Sequence, residues 1–449
     1  MIRNRSHFGT KMGAILAAAG SAVGLGNIWR FPTEVGTGGG AAFILVYVLC
    51  VALLGIPVML GEFIIGRRSH ANTVDAYRKL APHTGWVAQG YLGVFTGWLI
   101  LSYYSVVAGW TLSYLAAAAA NMVTGMDEPA TFFATLTGNG WIAVGGMAAI
   151  LFFTHFIIVR GVQGGIEKFS KVMMPMLFVL IVVLMVCSLT MPGAKTGITF
   201  LLKPDFSKIG PHTVLSAMGQ AFFSLSIGMG ALCTYASYFS DETRLTHTAA
   251  SVVSIDTCVA ILSGFIIFPA VFSAGTVSPD AGPGLVFITL PGVFTTAFAD
   301  VPWLGYLFAV LFYMLLILAA LTSTLSLHET VTAFLHEQGM TRRGAARVVT
   351  AVCIVFGTAC ALSFGIMKDV KPFFGMTFFD FFDYLTAKIL LPFGGIFVSL
   401  FVGWKMDRSD VRDELKGIRK PLFGLLMFLL KWFAPIAIVL ILMGELGIF

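Results

Sequence analysis

The sequence predicts an all-α polytopic membrane protein that crosses the bilayer many times. Hydrophobic residues make up 57% of the 449 residues and charged residues 11%, and the mean hydropathy is +0.89. Soluble domains carry roughly 25% charged residues, so this composition excludes an ordinary soluble protein. Two of the apolar segments are also interrupted by clustered glycines, which is typical of membrane proteins that bind solutes at mid-membrane.

Apolar segments long enough to span a bilayer as helices, about 20 residues each, recur along the whole chain. We count eleven of them, at residues 11–36, 41–66, 88–121, 140–159, 166–190, 213–239, 246–273, 303–335, 343–365, 376–404 and 421–447. The connections leave no room for a soluble domain, so residues 1–449 are predicted to form a single transmembrane domain. The longest connection, 274–302, is apolar and rich in Pro and Gly, and is predicted to fold back onto the protein.

The distribution of basic residues predicts the orientation in the membrane. Lys and Arg concentrate at the segment ends that share a side with the N-terminus, whereas the opposite loops contain few of them. Because basic residues favour the cytoplasmic side, we expect a cytoplasmic N-terminus and, after eleven crossings, an extracytoplasmic C-terminus. This orientation signal accounts for the formal net charge of +6 without any nucleic-acid partner.

The first segment is interrupted by the run GSAVGLGN at 20–27, which leads directly into IWRFP at 28–32. Glycine costs about 1 kcal/mol relative to alanine in a helix interior. Within a bilayer, backbone groups freed from a helix are tolerated only where they are buried in protein or line a cavity. The run therefore predicts a mid-membrane break whose free amides and carbonyls bind a charged solute.

The sixth segment contains a second interruption, QAFFSLSIGMG at 220–230. Two interrupted segments placed five apart indicate an inverted repeat with a binding site at the bilayer midplane. We assign residues 1–190 to the first five-segment repeat, residues 213–404 to the inverted second repeat, and residues 421–447 to an extra helix.

In the fifth segment, Gly165 and Pro175 bracket nine residues that either unwind to open a cytoplasmic path or form an ordinary proline kink.

These motifs resemble those of the neurotransmitter:sodium symporter family. The resemblance rests on the runs at 20–32 and 224–230, on GIP at 55–57 with GE at 61–62, on AALTS at 319–323, and on the spacing from Gly165 to Pro175. It implies the LeuT-type fold of five helices plus five inverted, with eleven transmembrane helices of which helices 1 and 6 are broken at mid-membrane. It further implies sodium-coupled symport of a neutral amino acid by alternating access in a bacterial inner membrane, with monomer and dimer both left open.

A zwitterionic amino acid needs donors for its carboxylate and acceptors for its ammonium. The amides near Leu25 and Gly26, at a half-helix N-terminus, suit the carboxylate, and Tyr104 matches the carboxylate-binding tyrosine of the family. Carbonyls near Ala22 and Phe223 are expected to receive the ammonium. The full expected substrate site comprises Ser21, Ala22, Gly24, Leu25, Gly26, Ile100, Tyr104, Phe223, Ser224, Ser226, Met229, Ser323 and Leu327.

The class of substrate follows from what this site lacks. Family members that carry monoamines have an aspartate where this chain has Gly24, so we expect a substrate that supplies its own carboxylate. The side-chain pocket is apolar, and Met229 between two glycines is adaptable. We therefore expect large hydrophobic or aromatic L-amino acids, namely Leu, Ile, Met, Phe, Tyr or Trp.

The resemblance also implies two co-transported Na⁺ ions and no organic cofactor. The first sodium site is expected to take the Ala22 carbonyl and the side chains of Asn27, Ser224 and Asp256. The second is expected to take carbonyls of Gly20, Val23 and Ala319 with the hydroxyls of Thr322 and Ser323. For these two hydroxyls taken alone, bonding to the preceding helical turn is the alternative.

The expected gates flank the substrate site on both sides of the membrane. Phe223 and Tyr104 would cover the substrate, and Arg30 would form an external ion pair with Asp383, with Asp380 one turn earlier. The residues expected to close the cytoplasmic path are Arg5, Phe8, Tyr238 and Glu337, together with the Gly165-to-Pro175 segment.

Chloride is not expected to take part in transport. Chloride-dependent members use a tyrosine, a glutamine and a serine, which Tyr47, Gln220 and Ser224 match, and two further helix-7 positions that read Asp256 and Ala260 here. A carboxylate beside an anion site repels chloride by several kcal/mol in a poorly screened environment.

Two other classes of function stay open at this point. One is a membrane sensor that binds an amino acid without moving it. The other is an intramembrane enzyme using Glu62, Asp256 or His328, although no nucleophile–base pair accompanies these residues. We interpret Glu62 as a buried hydrogen-bonding residue near the broken helices.

Overall fold

The protein is described by a computed structural model that covers residues 7–123, 126, 128–274, 284–298 and 301–445. Within these ranges, nine helices are long and apolar enough to cross a membrane, and one pair bent by 55° forms a tenth span. A further interrupted pair, Pro211–Ser224 and Ala231–Ala236, lies at the predicted sixth span.

We number the spans in chain order, with the two halves of each broken helix marked a and b. The spans are α1a Lys11–Ala22, α1b Gly26–Thr37, α2 Ala41–Ser69, α3 Val87–Ala119, α4 Gly140–Val159, α5 Val162–Ser188, α6a Pro211–Ser224, α6b Ala231–Ala236, α7 Leu245–Ser273, α8 Pro302–Glu337, α9 Arg342–Leu362, α10 Phe378–Lys405 and α11 Lys420–Gly444. Shorter helices in the connections are Thr73–Leu80, Pro129–Gly138, Ala194–Leu202, Leu290–Ala297 and Arg408–Glu414.

Both interruptions have a local cause in the sequence. After α1a, Val23 is extended (φ −68°, ψ 114°), which ends the helix before the glycine-rich run. After α6a, Ser226, Gly228 and Gly230 all have positive φ values of 53°, 96° and 72°. Left-handed conformations are unfavourable for most residues but accessible to glycine, so this stretch cannot continue a helix.

The broken helices lie at the centre of the molecule. The first half of α1 packs against α5, α7 and α8, and α6b packs against α2 and α8. Buried polar side chains concentrate on the middle of α8, where Thr322, Ser323, Thr324 and Ser326 are all shielded from solvent. The two breaks and this polar stretch therefore share one enclosed region, where freed backbone groups find partners inside the protein.

The long external connection folds back onto the bundle, as predicted, over the part that is described. The Tyr114 hydroxyl of α3 donates to the Phe287 carbonyl at 2.7 Å, and the Tyr313 hydroxyl of α8 donates to the Val286 carbonyl at 3.1 Å. The Phe287 ring also packs edge-on against Trp29 of α1b, with ring centroids 6.3 Å apart. The connection thus covers α1b at Trp29.

Candidate functional site

The break in α1 presents backbone amides to a tyrosine hydroxyl and an asparagine side chain. The Leu25 N–H donates to the Tyr104 hydroxyl at 3.1 Å. The Gly24 N–H donates to Asn27 Oδ1 at 2.9 Å. These groups lie at the start of α1b, where the positive end of the helix dipole favours an anion.

The break in α6 is held open by a buried carboxylate. Glu62 of α2 is fully buried, and its two oxygens accept hydrogen bonds from the Gly228 and Cys233 amides at 2.6 and 3.0 Å. Its position agrees with the role expected for it from the sequence. The Ser226 hydroxyl then donates to the Ser21 carbonyl at 2.9 Å, which links the two breaks directly.

A cavity lies between the two breaks. Its lining residues are Ser21, Ala22, Gly24, Gly26, Asn27, Ile100, Tyr104, Phe223, Ser224, Ser226, Met229, Ser323, Ser326, Leu327 and Leu391. All the expected substrate residues line it except Leu25, whose amide meets the Tyr104 hydroxyl at its wall. The Phe223 ring covers Gly26 so closely that a Cβ there would lie 2.8 Å from the ring.

Oxygen-bearing side chains meet at one edge of this cavity. Ser224 Oγ lies 2.9 Å from Asp256 Oδ2, and Asn27 Nδ2 donates to Asp256 Oδ1 at 2.7 Å and to Ser224 Oγ at 3.1 Å. Three of the four residues expected at the first sodium site therefore form one buried cluster. Ala22, the fourth, lines the same cavity.

A second set of oxygens lies between α1a and α8. The hydroxyls of Thr322 and Ser323 donate to the Val23 carbonyl at 3.2 and 3.3 Å, and Thr322 Oγ1 is 2.9 Å from the Ala319 carbonyl. Gly20 packs against Thr322, since a Cβ at Gly20 would lie 3.3 Å from Thr322 Cβ. The structure thus gathers the five residues expected at the second sodium site.

The expected anion-site positions lie behind the first oxygen cluster. The Tyr47 hydroxyl is 3.5 Å from Asp256 Oδ2. Gln220 is fully buried, and neither its amide nitrogen nor its amide oxygen has a partner in the described part of the chain. Ala260, four residues after Asp256 and so on the same face of α7, is also buried.

Arg30, predicted to pair with Asp383, has its nearest contacts with two other residues. Within the described ranges, Arg30 and Asp383 do not come within ion-pair distance, but Arg30 is close enough to act electrostatically on the Asp383 carboxylate. Arg30 Nε instead lies 3.7 Å from Glu34 Oε1, and its guanidinium sits 4.4 Å above the centre of the Phe223 ring. Glu34 is four residues along the same helix and always within reach, whereas Asp383 belongs to α10 and depends on how the helices pack. The part of Asp383 in an outer gate stays a prediction.

The residues expected to close the cytoplasmic path lie in an aromatic contact and a polar network. The Phe8 ring packs edge-on against Tyr238 at 6.1 Å, and the Tyr238 hydroxyl donates to Glu329 Oε1 at 2.8 Å. Arg342 donates to both Glu329 oxygens at 3.1 and 2.6 Å. Glu337 accepts from the Asn72 amide at 3.0 Å and from its side chain at 2.8 Å. Arg5, its expected partner, lies outside the described residues.

The Gly165-to-Pro175 segment is helical in this conformation and contacts the start of α1. Glu167, within it, accepts from the Gly9 amide at 2.6 Å and from the Thr10 hydroxyl at 2.9 Å. The segment is therefore helical and hydrogen-bonded to the residues that precede α1a, and its unwinding remains a prediction.

Sequence reasoning missed several residues that the structure places at the site. Ser326 and Leu391 line the cavity, and Glu34 pairs with the outer arginine. Ser326 could have been found, since it lies three residues after Ser323 and hence on the same helical face.

His328 is a polar link between α8 and α9. Its ring nitrogens lie 2.9 and 3.0 Å from the hydroxyls of Thr332 and Thr350.

Comparisons with known proteins identify the family and the fold. The profile of the sodium:neurotransmitter symporter family matches residues 5–125 and 134–448. The chain belongs to this family. Sodium-dependent transporters of Bacillus subtilis (strain 168) and Haemophilus influenzae are 39% and 34% identical to the chain, over 98% and 99% of it and 97% and 99% of their own lengths. A crystal structure of MhsT in complex with L-phenylalanine matches this symporter with a TM-score of 0.90 and 41% identity, over 98% of this chain and 100% of that one.

Membership of the family decides the class of function. Its members are sodium-coupled transporters, so the chain is a multi-pass membrane transporter and the enzyme alternative is excluded. The likeness to MhsT confirms the predicted all-α LeuT-type fold of this symporter.

Proposed function

We propose that the protein couples sodium to the uptake of large neutral L-amino acids by alternating access, without chloride, across a bacterial inner membrane. The observation that carries this proposal is the cavity between the two helix breaks, which joins anion-binding amides, carbonyl acceptors and an apolar wall. MhsT, a relative at 41% identity, has been crystallised with L-phenylalanine, which supports the same class of substrate here.

The polar part of the cavity suits the backbone of an amino acid. The Gly26 amide lies at the start of α1b, and the Tyr104 hydroxyl accepts from the Leu25 N–H at 3.1 Å and keeps its own proton. The Gly26 amide and the Tyr104 hydroxyl can therefore both donate to a carboxylate. The interrupted ends of α1a and α6a offer the Ala22 and Phe223 carbonyls to the ammonium. No carboxylate stands at Gly24, which favours a zwitterion over a monoamine.

The remaining wall suits a large uncharged side chain. Ile100, Met229, Leu327 and Leu391 line this part of the cavity, and no Asp, Glu, Lys or Arg is among the lining residues. A charged side chain would be desolvated there without an opposite charge to pair with. Each buried methylene of an apolar substrate contributes about 0.8 kcal/mol to the free energy of binding, so leucine should bind more tightly than glycine.

The two oxygen clusters suit sodium as the driving ion. Asp256 supplies the negative charge at the first cluster, which adjoins the substrate cavity through Ser224 and Asn27. A substrate carboxylate at Leu25 would lie next to this cluster, so sodium and substrate would bind together. The second cluster joins α1a to α8, so an ion there would hold these two helices in place.

Alternating access requires one part of the molecule to move relative to another around this site. The proposed repeats, 1–190 and 213–404, each contribute one broken helix to the cavity. With the N-terminus cytoplasmic, Phe8 and Tyr238 close the inner side, and Arg30 with Phe223 covers the outer side.

Uptake into proteoliposomes tests the function. The purified protein should accumulate labelled leucine, phenylalanine or tryptophan when an inward sodium gradient is imposed, and potassium in place of sodium should abolish accumulation. A sensor would bind these amino acids with sodium but would not accumulate them. Stronger competition by glycine or glutamate than by leucine and tryptophan would contradict the proposed substrate class.

A further inference from the structure

A second polar patch lies in the cavity, away from the groups proposed to receive the substrate's carboxylate. It consists of the hydroxyls of Ser21 and Ser326, and we call it the serine patch. Ser21 is 1% exposed, lines the cavity, and its hydroxyl has no hydrogen-bond partner in the described part of the chain. Buried polar groups in folded proteins are nearly always hydrogen-bonded, so an unpartnered hydroxyl on a residue that lines a ligand cavity points to a partner on the ligand.

Ser326 complements Ser21 in its hydrogen-bonding capacity. Its hydroxyl already donates to the Ser323 carbonyl at 2.9 Å, which leaves only its oxygen lone pairs available. The Ser21 hydroxyl keeps both its proton and its lone pairs. The patch therefore offers one donor, at Ser21, and acceptors at both serines.

The serine patch is displaced along the membrane normal from the carboxylate site. Ser326 follows Ser323 by three residues on α8, and Ser21 precedes the break at which Leu25 meets Tyr104. The helices α1 and α8 cross the membrane in opposite directions. Ser21 and Ser326 are therefore both displaced toward the side of the N-terminus, by about one helical turn of 5.4 Å. Ile100, four residues before Tyr104 on α3, lines the cavity at the same level.

A substrate anchored by its carboxylate at Leu25 directs its side chain toward this level. Leucine and phenylalanine would reach it with carbon atoms alone and leave the Ser21 hydroxyl unpaired. A phenol both donates and accepts a hydrogen bond, and it sits at the far end of an apolar ring. It can donate to Ser326 and accept from Ser21 while the ring contacts Ile100 and Leu327.

We propose that the serine patch binds the phenolic hydroxyl of the substrate and makes tyrosine, rather than phenylalanine, the preferred amino acid. The inference rests on the proposed function and refines its substrate class. Sites built to hydrogen-bond a hydroxyl discriminate against the analogue that lacks it, because their own buried polar groups are then unpaired.

Uptake kinetics in proteoliposomes under an inward sodium gradient test the proposal with tyrosine and phenylalanine as a matched pair. The wild type should show a KM for tyrosine lower than that for phenylalanine by about fivefold or more. Ser21→Ala and Ser326→Ala should each raise the KM for tyrosine and leave that for phenylalanine nearly unchanged, so the ratio approaches one. Ser102→Ala is the matched control, because Ser102 is a buried serine of α3 that bonds to the preceding turn and does not line the cavity.

The outcomes separate this inference from the function on which it rests. Phenylalanine uptake by the variants shows that they are folded. A wild type that takes up phenylalanine with a KM equal to or below that for tyrosine overturns the proposal but leaves the transport function standing. An equal rise in KM for tyrosine, phenylalanine and leucine in Ser21→Ala also overturns it, since the hydroxyl would then serve the backbone that all three share. Absence of sodium-dependent uptake of every amino acid would overturn the function itself.

Discussion

Gly24 lies where any side chain would enter the cavity. A Cβ at this position would approach Ser323 Oγ to 2.5 Å and the Tyr104 hydroxyl to 3.1 Å. The absence of a side chain therefore keeps room for the substrate carboxylate beside Tyr104. It also keeps the break free of a fixed negative charge.

Gly24→Asp should abolish amino-acid uptake. Two like charges 4 Å apart repel by about 4 kcal/mol at an effective dielectric constant of 20, so a carboxylate here should reduce kcat/KM for leucine at least about a hundredfold. Gly24→Ala adds the Cβ without the charge and should be milder. The measurement is sodium-driven leucine uptake with expression-matched variants, and equal effects of the two substitutions would contradict the electrostatic reason. Robust serotonin or dopamine uptake by the wild type would contradict the substrate class.

Asn27 and Thr322 belong to different oxygen clusters, so substitutions at these two residues should affect different sodium sites. Removing one oxygen ligand from a cation should cost about 1.5–3 kcal/mol, as for hydrogen bonds to charged groups. Asn27→Ala should therefore raise the sodium concentration needed for half-maximal uptake by about tenfold or more. It should also raise the KM for substrate, because Asn27 lines the cavity. Thr322→Ala should also raise the sodium concentration needed for half-maximal uptake, but with a smaller effect on the KM for substrate. Unchanged sodium activation curves in both variants would refute the assignment.

At the scale of elements, the break in α6 depends on neighbouring helices. Glu62 of α2 holds the amides of Gly228 and Cys233, and Gly394 of α10 packs against the Gly228 carbonyl without room for a Cβ. In the six-residue break between α6a and α6b, the Gly228 amide thus has a partner on another helix, and the Gly230 carbonyl accepts from the Thr73 hydroxyl at 2.7 Å. This explains how a non-helical stretch persists at membrane depth.

Glu62→Gln should destabilise the α6 break. An amide has one acceptor oxygen where the carboxylate has two, so one backbone N–H would face an NH₂ group and remain unsatisfied. An unsatisfied buried donor costs about 1–3 kcal/mol, and we expect a lower Tm in detergent and reduced uptake. Glu242→Gln is the control, since the Glu242 side chain is 84% exposed. A Tm equal to that of the wild type would show that Glu62 does not hold the break.

At the scale of the whole molecule, the balance of charge at the centre decides the ion requirement. Asp256 is fully buried beside Tyr47, Ser224 and Asn27. A fixed carboxylate can balance a sodium ion without chloride. The unpartnered amide of Gln220 leaves a hydrogen-bond donor that an anion could use if this carboxylate were removed.

Transport by the wild type should be indifferent to replacement of chloride by gluconate. Asp256→Asn combined with Ala260→Ser removes the negative charge and adds a hydroxyl one turn away on α7, so this double variant should gain chloride stimulation of leucine uptake. Asp256→Asn alone serves as the matched comparison, because it removes the charge without adding the donor. A wild type that stops transporting in gluconate would overturn the argument from Asp256.

Composition, segment length and the two glycine-rich runs were enough to predict an all-α membrane protein with broken first and sixth helices. These features are local: a span needs about 20 apolar residues, and a run with three glycines in seven residues disfavours a continuous helix wherever it folds. The motifs also indicated the family and nearly all the residues that line the cavity. Glu62 was correctly interpreted as a buried hydrogen-bonding residue near the breaks.

Only the tertiary structure decided which partners the side chains take. Arg30 lies 3.7 Å from Glu34 and its guanidinium sits over the Phe223 ring, two contacts that the sequence did not predict. Ser326 lines the same cavity as Ser21, because α1 and α8 approach each other across 300 residues of sequence. The Ser21 hydroxyl has no hydrogen-bond partner within the described ranges. Spacing along one helix shows which residues share a face, whereas the distance between faces of different helices is set by how all the spans pack together.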